Sequence, residues 1–257
     1  DVLGSRGLGD VYKEGYYIDY VLNQSGIRQW SLKKLADYGY DPHTGIWAEC
    51  PGYSGVVMND YANFTSLFDR NLHCDLTKEL PVLPKAVAAT PQYLFPNRMI
   101  CGFGDTHPGY LNTNPISRMI RNAQHNGKKE QEEYFTAMLK CFHPDAGKTK
   151  DNKKSVPVSI SSFFDEKPLE LNPNIEAGKI EQYVSPFFYA PNVSWLVQRN
   201  GMNPRNSLMI SLNASEGNHM HANGISMELY GKGYVLAPDA GIGLYLSLIH
   251  ISEPTRP

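Results

Sequence analysis

A tyrosine and an acidic residue flank a Pro-Gly pair in the first quarter of the chain, and both side chains can move protons. Glu49 and Tyr53 belong to the segment Trp47–Tyr53. The Pro-Gly pair predicts a turn between two helices, which would hold these side chains at the mouth of a helix rather than in a core. A tyrosine in a loop is more commonly a packing or surface residue, so this segment alone indicates no particular function.

A second candidate is the glycine-rich segment Gly102–Gly109, which contains Asp105 and His107. An aspartate and a histidine two residues apart on a loop can orient each other or a ligand. The alternative is a turn in which Asp105 bonds the backbone. The two interpretations are equally supported by the sequence.

The third candidate is a pair of histidines, His219 and His221, followed later by Asp239. Residues i and i+2 of an extended segment share a face, so both imidazoles can point into one site. Imidazole and carboxylate are typical zinc ligands. The alternative is a pair of polar residues at a sheet edge.

Composition excludes several function classes. The chain has 257 residues, 24 Lys and Arg against 26 Asp and Glu, and a net charge of −2. This balance argues against a nucleic-acid partner that is bound through overall positive charge. A run of about 18 apolar residues, which a membrane-spanning helix would need, does not occur. Hydrophobic residues make up 41% of the chain, enough for a packed core.

Helical periodicity dominates residues 1–143, and a period of two appears after Val156. Residues 144–180 are lysine-rich at their start and predict a linker and crossing loops, whereas 181–245 predict antiparallel strands. This order predicts an α+β fold. The predicted helices are Val11–Asn23, Trp30–Tyr38, Gly55–Arg70, Thr77–Tyr93, Pro115–Asn126 and Lys128–Phe142, with Pro81 and Pro84 expected to shorten the fourth. The predicted strands are Leu208–Leu212, Ile225–Tyr230 and Tyr234–Ala237.

The last twelve residues, Leu246–Pro257, resemble the translation of sequencing-adapter DNA. We therefore expect residues 246–257 to be a non-native tail and leave them out of functional arguments. With no initiator methionine at Asp1, the sequence is expected to be an internal fragment of a longer protein.

The three candidate segments, together with the intervening Ser194–Gly201 (SWLVQRNG), occur in an order that resembles the heparinase II/III-like polysaccharide lyases. The most specific match is Asn218–Gly241, which reads NHMHANGISMELYGKGYVLAPDAG. The resemblance implies a partial α/α toroid followed by the start of an antiparallel β-sandwich. It also implies a periplasmic or secreted location and an acidic polysaccharide as substrate.

The implied reaction is β-elimination at a uronic acid, which needs a base at C5, an acid at the leaving oxygen and neutralisation of the sugar carboxylate. Tyr53 matches the family's catalytic tyrosine, and His219 matches its partner base. We therefore expect these two side chains to approach each other between the helical and strand parts. The family's carboxylate-neutralising residue would precede this chain.

The resemblance also implies a structural zinc ion, with His221 and Asp239 as two of its ligands and the third beyond this chain. Separate roles for His219 and His221 require a twisted or bulged segment, with Gly224 absorbing the distortion. Four further residues are expected to line the substrate cleft from their position and chemistry, with Arg199 pairing a uronate carboxylate. These are Glu49, Asp105, His107 and Arg199.

Two other functions remain open at this stage. One is a glycoside hydrolase on a similar toroid, with Glu49 and Asp105 as its acid and base. The other is a non-catalytic glycan-binding protein, in which Trp47 and Tyr53 serve as aromatic platforms.

Overall fold

The computed structural model describes residues 8–144, 168–214, 219–220 and 224–239. Most of the expected linker, the expected tail and His221 lie outside these ranges. Helices occupy the first part of the chain and antiparallel strands the second, so the predicted α+β class is confirmed. The helices are α1 Leu8–Asn23, α2 Leu32–Gly39, α3 Pro51–Asn71, α4 Leu76–Glu79, α5 Val82–Ala89, α6 Asn114–His125 and α7 Lys129–Phe142.

The helix predicted over Thr77–Tyr93 is divided in the structure, and that prediction was wrong in its continuity. Pro81 is the N-cap of α5 and ends the preceding turn, since proline has no N–H to continue a helix. Pro84 is tolerated because it falls in the first turn of α5, where backbone N–H groups have no partner within the helix. A 3-10 helix, Thr90–Tyr93, completes the segment.

Helix α3 is the longest described helix, and it carries Tyr53 in its first turn. It begins at Pro51, a residue suited to the first helical position because its missing N–H would be unpaired there. Its other end is fixed against α6, where Asn122 Nδ2 donates to Asp69 Oδ2 at 2.6 Å. The helix thus starts at a residue that favours helix initiation, and its last turns are tied to α6.

Five antiparallel strands form one sheet in the order β1-β2-β3-β4-β5. Two of these strands precede those that the sequence predicted. The strands are β1 Phe187–Ala190, β2 Trp195–Arg199, β3 Met209–Asn213, β4 Ser226–Gly231 and β5 Tyr234–Ala237. Pairing is regular until a register shift between Leu229 and Tyr230.

One core joins the sheet to the helical part. Trp195 is fully buried and its ring stacks on Tyr93, with centroids 4.7 Å apart, and lies 5.6 Å from Phe103. Phe103 belongs to the glycine-rich loop between α5 and α6, so the sheet packs directly on this loop. Among the described helices, none is both long and apolar enough to cross a bilayer.

The sheet also anchors that loop through a buried carboxyl group. Gly102 N–H donates to Glu228 Oε1 at 2.9 Å, and the Glu228 side chain is nearly inaccessible to water. Burial raises the pKa of Glu228 from its ordinary 4.5 to about 7. Desolvation disfavours the charged form, and the N–H donor offsets only part of that cost.

We predict that the Glu228 carboxyl group makes the free energy of unfolding fall as pH rises from about 4.5 to about 7. In that range the folded protein keeps a proton that the unfolded chain has lost, so folding takes up a proton. This loss of stability is complete above the folded-state pKa and amounts to about 3 kcal/mol of unfolding free energy. Glu228→Gln should remove it, and urea unfolding of both proteins from pH 4 to pH 8 checks this. An unfolding free-energy difference between the two proteins that stays constant with pH would contradict the assignment.

Candidate active site

Tyr53 and His219, which are 166 positions apart in the sequence, are in direct contact. Their rings stack with centroids 3.5 Å apart and an angle of 12° between the planes. Tyr53 is half-buried in the first turn of α3, and 35% of the His219 side chain is exposed. The contact therefore joins the helical part to the strand part and remains open to solvent on one side.

Glu49 holds the His219 ring at its edge, whereas Tyr53 covers its face. Its Oε1 lies 2.9 Å from His219 Nδ1, and its Oε2 accepts a hydrogen bond from Trp47 Nε1 at 2.7 Å. Because an ionised carboxylate only accepts hydrogen bonds, we assign the proton to Nδ1. In the neutral imidazole this leaves the lone pair on Nε2, the state that a general base requires.

The backbone at His219 is left-handed, with φ at +61°. A residue other than glycine rarely occupies this region, and at functional sites such a conformation marks a position fixed by its surroundings. Gly224 also has positive φ, at +76°. This irregularity agrees with the expected distortion, although Asn218 and residues 221–223 lie outside the described part of the chain.

The glycine-rich loop reaches the pair through its backbone. Asp105 N–H donates to His219 O at 2.9 Å, which places Asp105 beside the pair. The next residue but one, His107, is exposed on the same loop. Of the four residues expected to line a cleft, Glu49, Asp105 and His107 thus lie on segments next to Tyr53 or His219.

Arg199 is placed differently from the cleft position that the sequence suggested. It is 4% exposed, and its Nη2 donates to Gln92 O at 2.7 Å in the interior. Burial lowers the pKa of its guanidinium to about 10. A side chain so enclosed has no face for a uronate carboxylate, so we give Arg199 a structural part between the sheet and the 3-10 helix.

Only one of the two expected zinc ligands, Asp239, lies among the described residues. Asp239 is half-buried and its carboxylate accepts a hydrogen bond from Ser226 Oγ, while His221 lies outside the described residues. Within the described ranges, no three His, Cys, Asp or Glu side chains are grouped so as to hold a metal ion. Those residues do not by themselves supply the tetrahedral set that zinc takes.

A cavity of about 340 Å³ lies beside the first turns of α3. Its wall is mainly apolar and includes Met58, Tyr93 and Tyr110, with Asn59 and Asn112 as polar members. Tyr53 and His219 do not line it. Residues 54, 55, 58 and 59 share the helix face turned away from residue 53, so the cavity and the reactive pair lie on different sides of α3.

Two residues at the site make contacts that the sequence analysis did not predict. Trp47 binds the second oxygen of Glu49, and its spacing of two residues from Glu49 was the available signal. Thr106 accepts a hydrogen bond from Gly52 N–H at 3.0 Å across 54 positions. That contact depends on tertiary structure, and no local pattern indicates it.

Comparison with known proteins agrees with this architecture. A curated relative, the endo-acting ulvan lyase of Formosa agariphila, is 26% identical over 208 residues, which cover 77% of this chain and 24% of the relative. The chain thus spans about a quarter of that relative's length. A solved structure of a heparinase III gene product covers 85% of this chain and 29% of its own, with a TM-score of 0.50 and 15% identity, and shares the fold.

The family model described as "Endo-acting ulvan lyase 2nd domain" matches residues 43–184. This range is more than half of the chain and includes Glu49, Tyr53 and the glycine-rich loop, whereas His219 lies beyond it. The resemblance to polysaccharide lyases of the heparinase type, predicted from the sequence motifs, is confirmed by these matches. The chain belongs to the family of the endo-acting ulvan lyase second domain.

Proposed function

We propose that this chain carries the reactive centre of a polysaccharide lyase that cleaves uronic-acid-containing glycans by β-elimination. The observation that carries the proposal is the stack of Tyr53 on a His219 ring whose Nδ1 is bonded to Glu49. The family match and the curated relative support the reaction class.

In the proposed mechanism, His219 Nε2 removes the proton from C5 of the uronate. The electron pair of that C–H bond forms the C4–C5 double bond, and the bond from C4 to the glycosidic oxygen breaks. Tyr53 Oη gives its proton to the departing oxygen, since an unassisted alkoxide is a poor leaving group. A proton passing from the imidazolium to the tyrosinate, directly or through water, restores both groups.

Each residue in this scheme has one task that its contacts support. Glu49 fixes the tautomer and orientation of His219, in the way that an orienting carboxylate serves a histidine base. Asp105 and His107 are proposed to contact the glycan, because their loop borders the pair. A zinc ion held by His221 and Asp239 stays a prediction, as does a periplasmic or secreted location.

The two rival functions fit the geometry less well. In a hydrolase, Glu49 would act as acid or base, yet both of its oxygens are engaged, by His219 and by Trp47. In a non-catalytic glycan binder, Trp47 would be an exposed platform, yet it is 6% exposed and packs against Tyr40. One face of the Tyr53 ring is likewise covered by His219.

We predict that Tyr53→Phe lowers kcat by about 10²–10⁴-fold, the usual contribution of a positioned proton donor. The phenyl ring keeps the stack on His219, so thermal stability should stay unchanged. The measurement is the ultraviolet absorbance of the unsaturated uronate released from acidic polysaccharides. Tyr38→Phe is the matched control, because Tyr38 is 73% exposed and its ring packs on Trp30 rather than on His219.

Near-normal activity of Tyr53→Phe would remove Tyr53 from the mechanism. New reducing ends without ultraviolet absorbance, from the unaltered protein, would instead identify a hydrolase. Binding of the glycan with neither product would identify the non-catalytic alternative.

We also predict that Glu49→Gln lowers kcat by about 10²-fold. The amide must turn its NH₂ group toward either His219 Nδ1 or Trp47 Nε1, which are both donors in the structure. If the NH₂ faces Nδ1, the ring proton moves to Nε2 and the base is lost. Steady-state kinetics on one substrate check this, with circular dichroism as the folding control. Unchanged kcat would show that the orientation of His219 does not depend on Glu49.

A further inference from the structure

We infer that Thr106 is a positioning residue, which fixes the first turn of α3, with Tyr53, relative to the backbone of His219. The inference rests on the proposed function and assigns a part to a residue that contacts neither reacting group through its side chain. It is carried by hydrogen bonds of the loop Gly102–Thr106, which we call the clamp loop.

Thr106 supplies a side-chain hydroxyl as acceptor to the first turn of α3. The N-cap residue of α3, Cys50, makes no side-chain hydrogen bond to the first turn. Instead Thr106 Oγ1 accepts from Gly52 N–H at 3.0 Å and donates to Phe103 O at 2.9 Å. Thr106 is completely buried, and its bond to Phe103 O is shielded from water. The N–H groups at the start of a helix have no partner within the helix. One of them, that of Gly52 just before Tyr53, is therefore paired with a residue 54 positions further along the chain.

The neighbouring residue of the clamp loop holds His219. Asp105 N–H donates to His219 O at 2.9 Å. The backbone of His219 is left-handed, so its conformation needs support from neighbouring residues. The same loop therefore fixes the histidine through residue 105 and the tyrosine helix through residue 106.

Gly104 explains why the two elements can approach so closely. Its φ is +65°, and a Cβ there would lie 2.5 Å from His219 O and 2.6 Å from Cys50 Cβ. Only glycine fits between these two atoms without displacing the backbone. The clamp loop is thus wedged between the start of α3 and the His219 segment, with its other end tied to the sheet through Gly102 and Glu228.

The test compares Thr106→Val with Thr106→Ser in the full-length protein. Valine keeps the shape but leaves Gly52 N–H without its acceptor, whereas serine keeps the hydroxyl. Displacement of reacting groups by about 1 Å costs up to about 100-fold in rate, so we expect kcat to fall about 10-fold to 100-fold in Thr106→Val. KM should change less than kcat, staying within about threefold, because the side chains of Asp105 and His107 that are proposed to contact the glycan are themselves unaltered. Thr106→Ser should restore kcat.

Thr65→Val is the matched control. Thr65 is also completely buried and lies on the same helix, but its hydroxyl donates to Tyr61 O within α3, and among the described residues it bonds no group of the clamp loop. A loss of kcat in Thr65→Val equal to that in Thr106→Val would reduce Thr106 to a general stability role and overturn the inference. Wild-type kcat in Thr106→Val would overturn it as well.

Hydrogen exchange separates this inference from the proposed function. The Asp105 amide, bonded to His219 O, should exchange about 10-fold faster in Thr106→Val and unchanged in Thr65→Val. If the unaltered protein releases no unsaturated product, the proposed function fails, and this comparison still decides whether Thr106 holds the His219 contact. Equal exchange in all variants would overturn the positioning role.

Discussion

The contact between Tyr53 and His219 depends on one constraint, which is that the clamp loop must touch both the start of α3 and the backbone of His219. The loop meets this constraint with a glycine that leaves room for no side chain, a backbone N–H and a buried hydroxyl. None of these groups carries the chemistry. They place two rings from distant parts of the sequence within 3.5 Å of each other.

The charged groups beneath this junction follow from the same packing. Glu228 and Arg199 both extend from the sheet toward the helical part, where water is excluded and charge is costly. Each meets one backbone group of the opposite part, Gly102 N–H for the glutamate and Gln92 O for the arginine. These bonds fix the sheet against the loops, so the pKa shifts of the two residues report on the interface rather than on catalysis.

Local patterns were sufficient for the elements that have regular periodicity. The apolar spacing of α6 and α7 and the alternation of β3 and β4 were predicted from the sequence to within one or two residues. Strands β1 and β2 were missed because they are short and their residues do not alternate between apolar and polar types. The division of the helix near Pro81 was underestimated, since a proline can either end a helix or begin one.

The site was predictable to the extent that its residues lie in motifs. Tyr53, Glu49 and His219 were found in this way, but their mutual contacts depend on how the sheet docks on the helices. Arg199 was expected in the cleft from its position and because a guanidinium can pair a uronate carboxylate. Its burial is decided by the pairing of β2 with β3, which places its side chain on the inner face. Thr106 had no local signal, since its partner Gly52 is 54 positions away.

The most direct measurement is a crystal structure of Tyr53→Phe with a uronate oligosaccharide that the unaltered protein degrades. Our account predicts that C5 of one uronate lies about 3–3.5 Å from His219 Nε2, the separation of a reactive arrangement. It also predicts that the adjoining glycosidic oxygen faces the edge of residue 53 and that Glu49 remains on Nδ1. A glycosidic oxygen bonded to Glu49, or an oligosaccharide held away from both rings, would contradict the account.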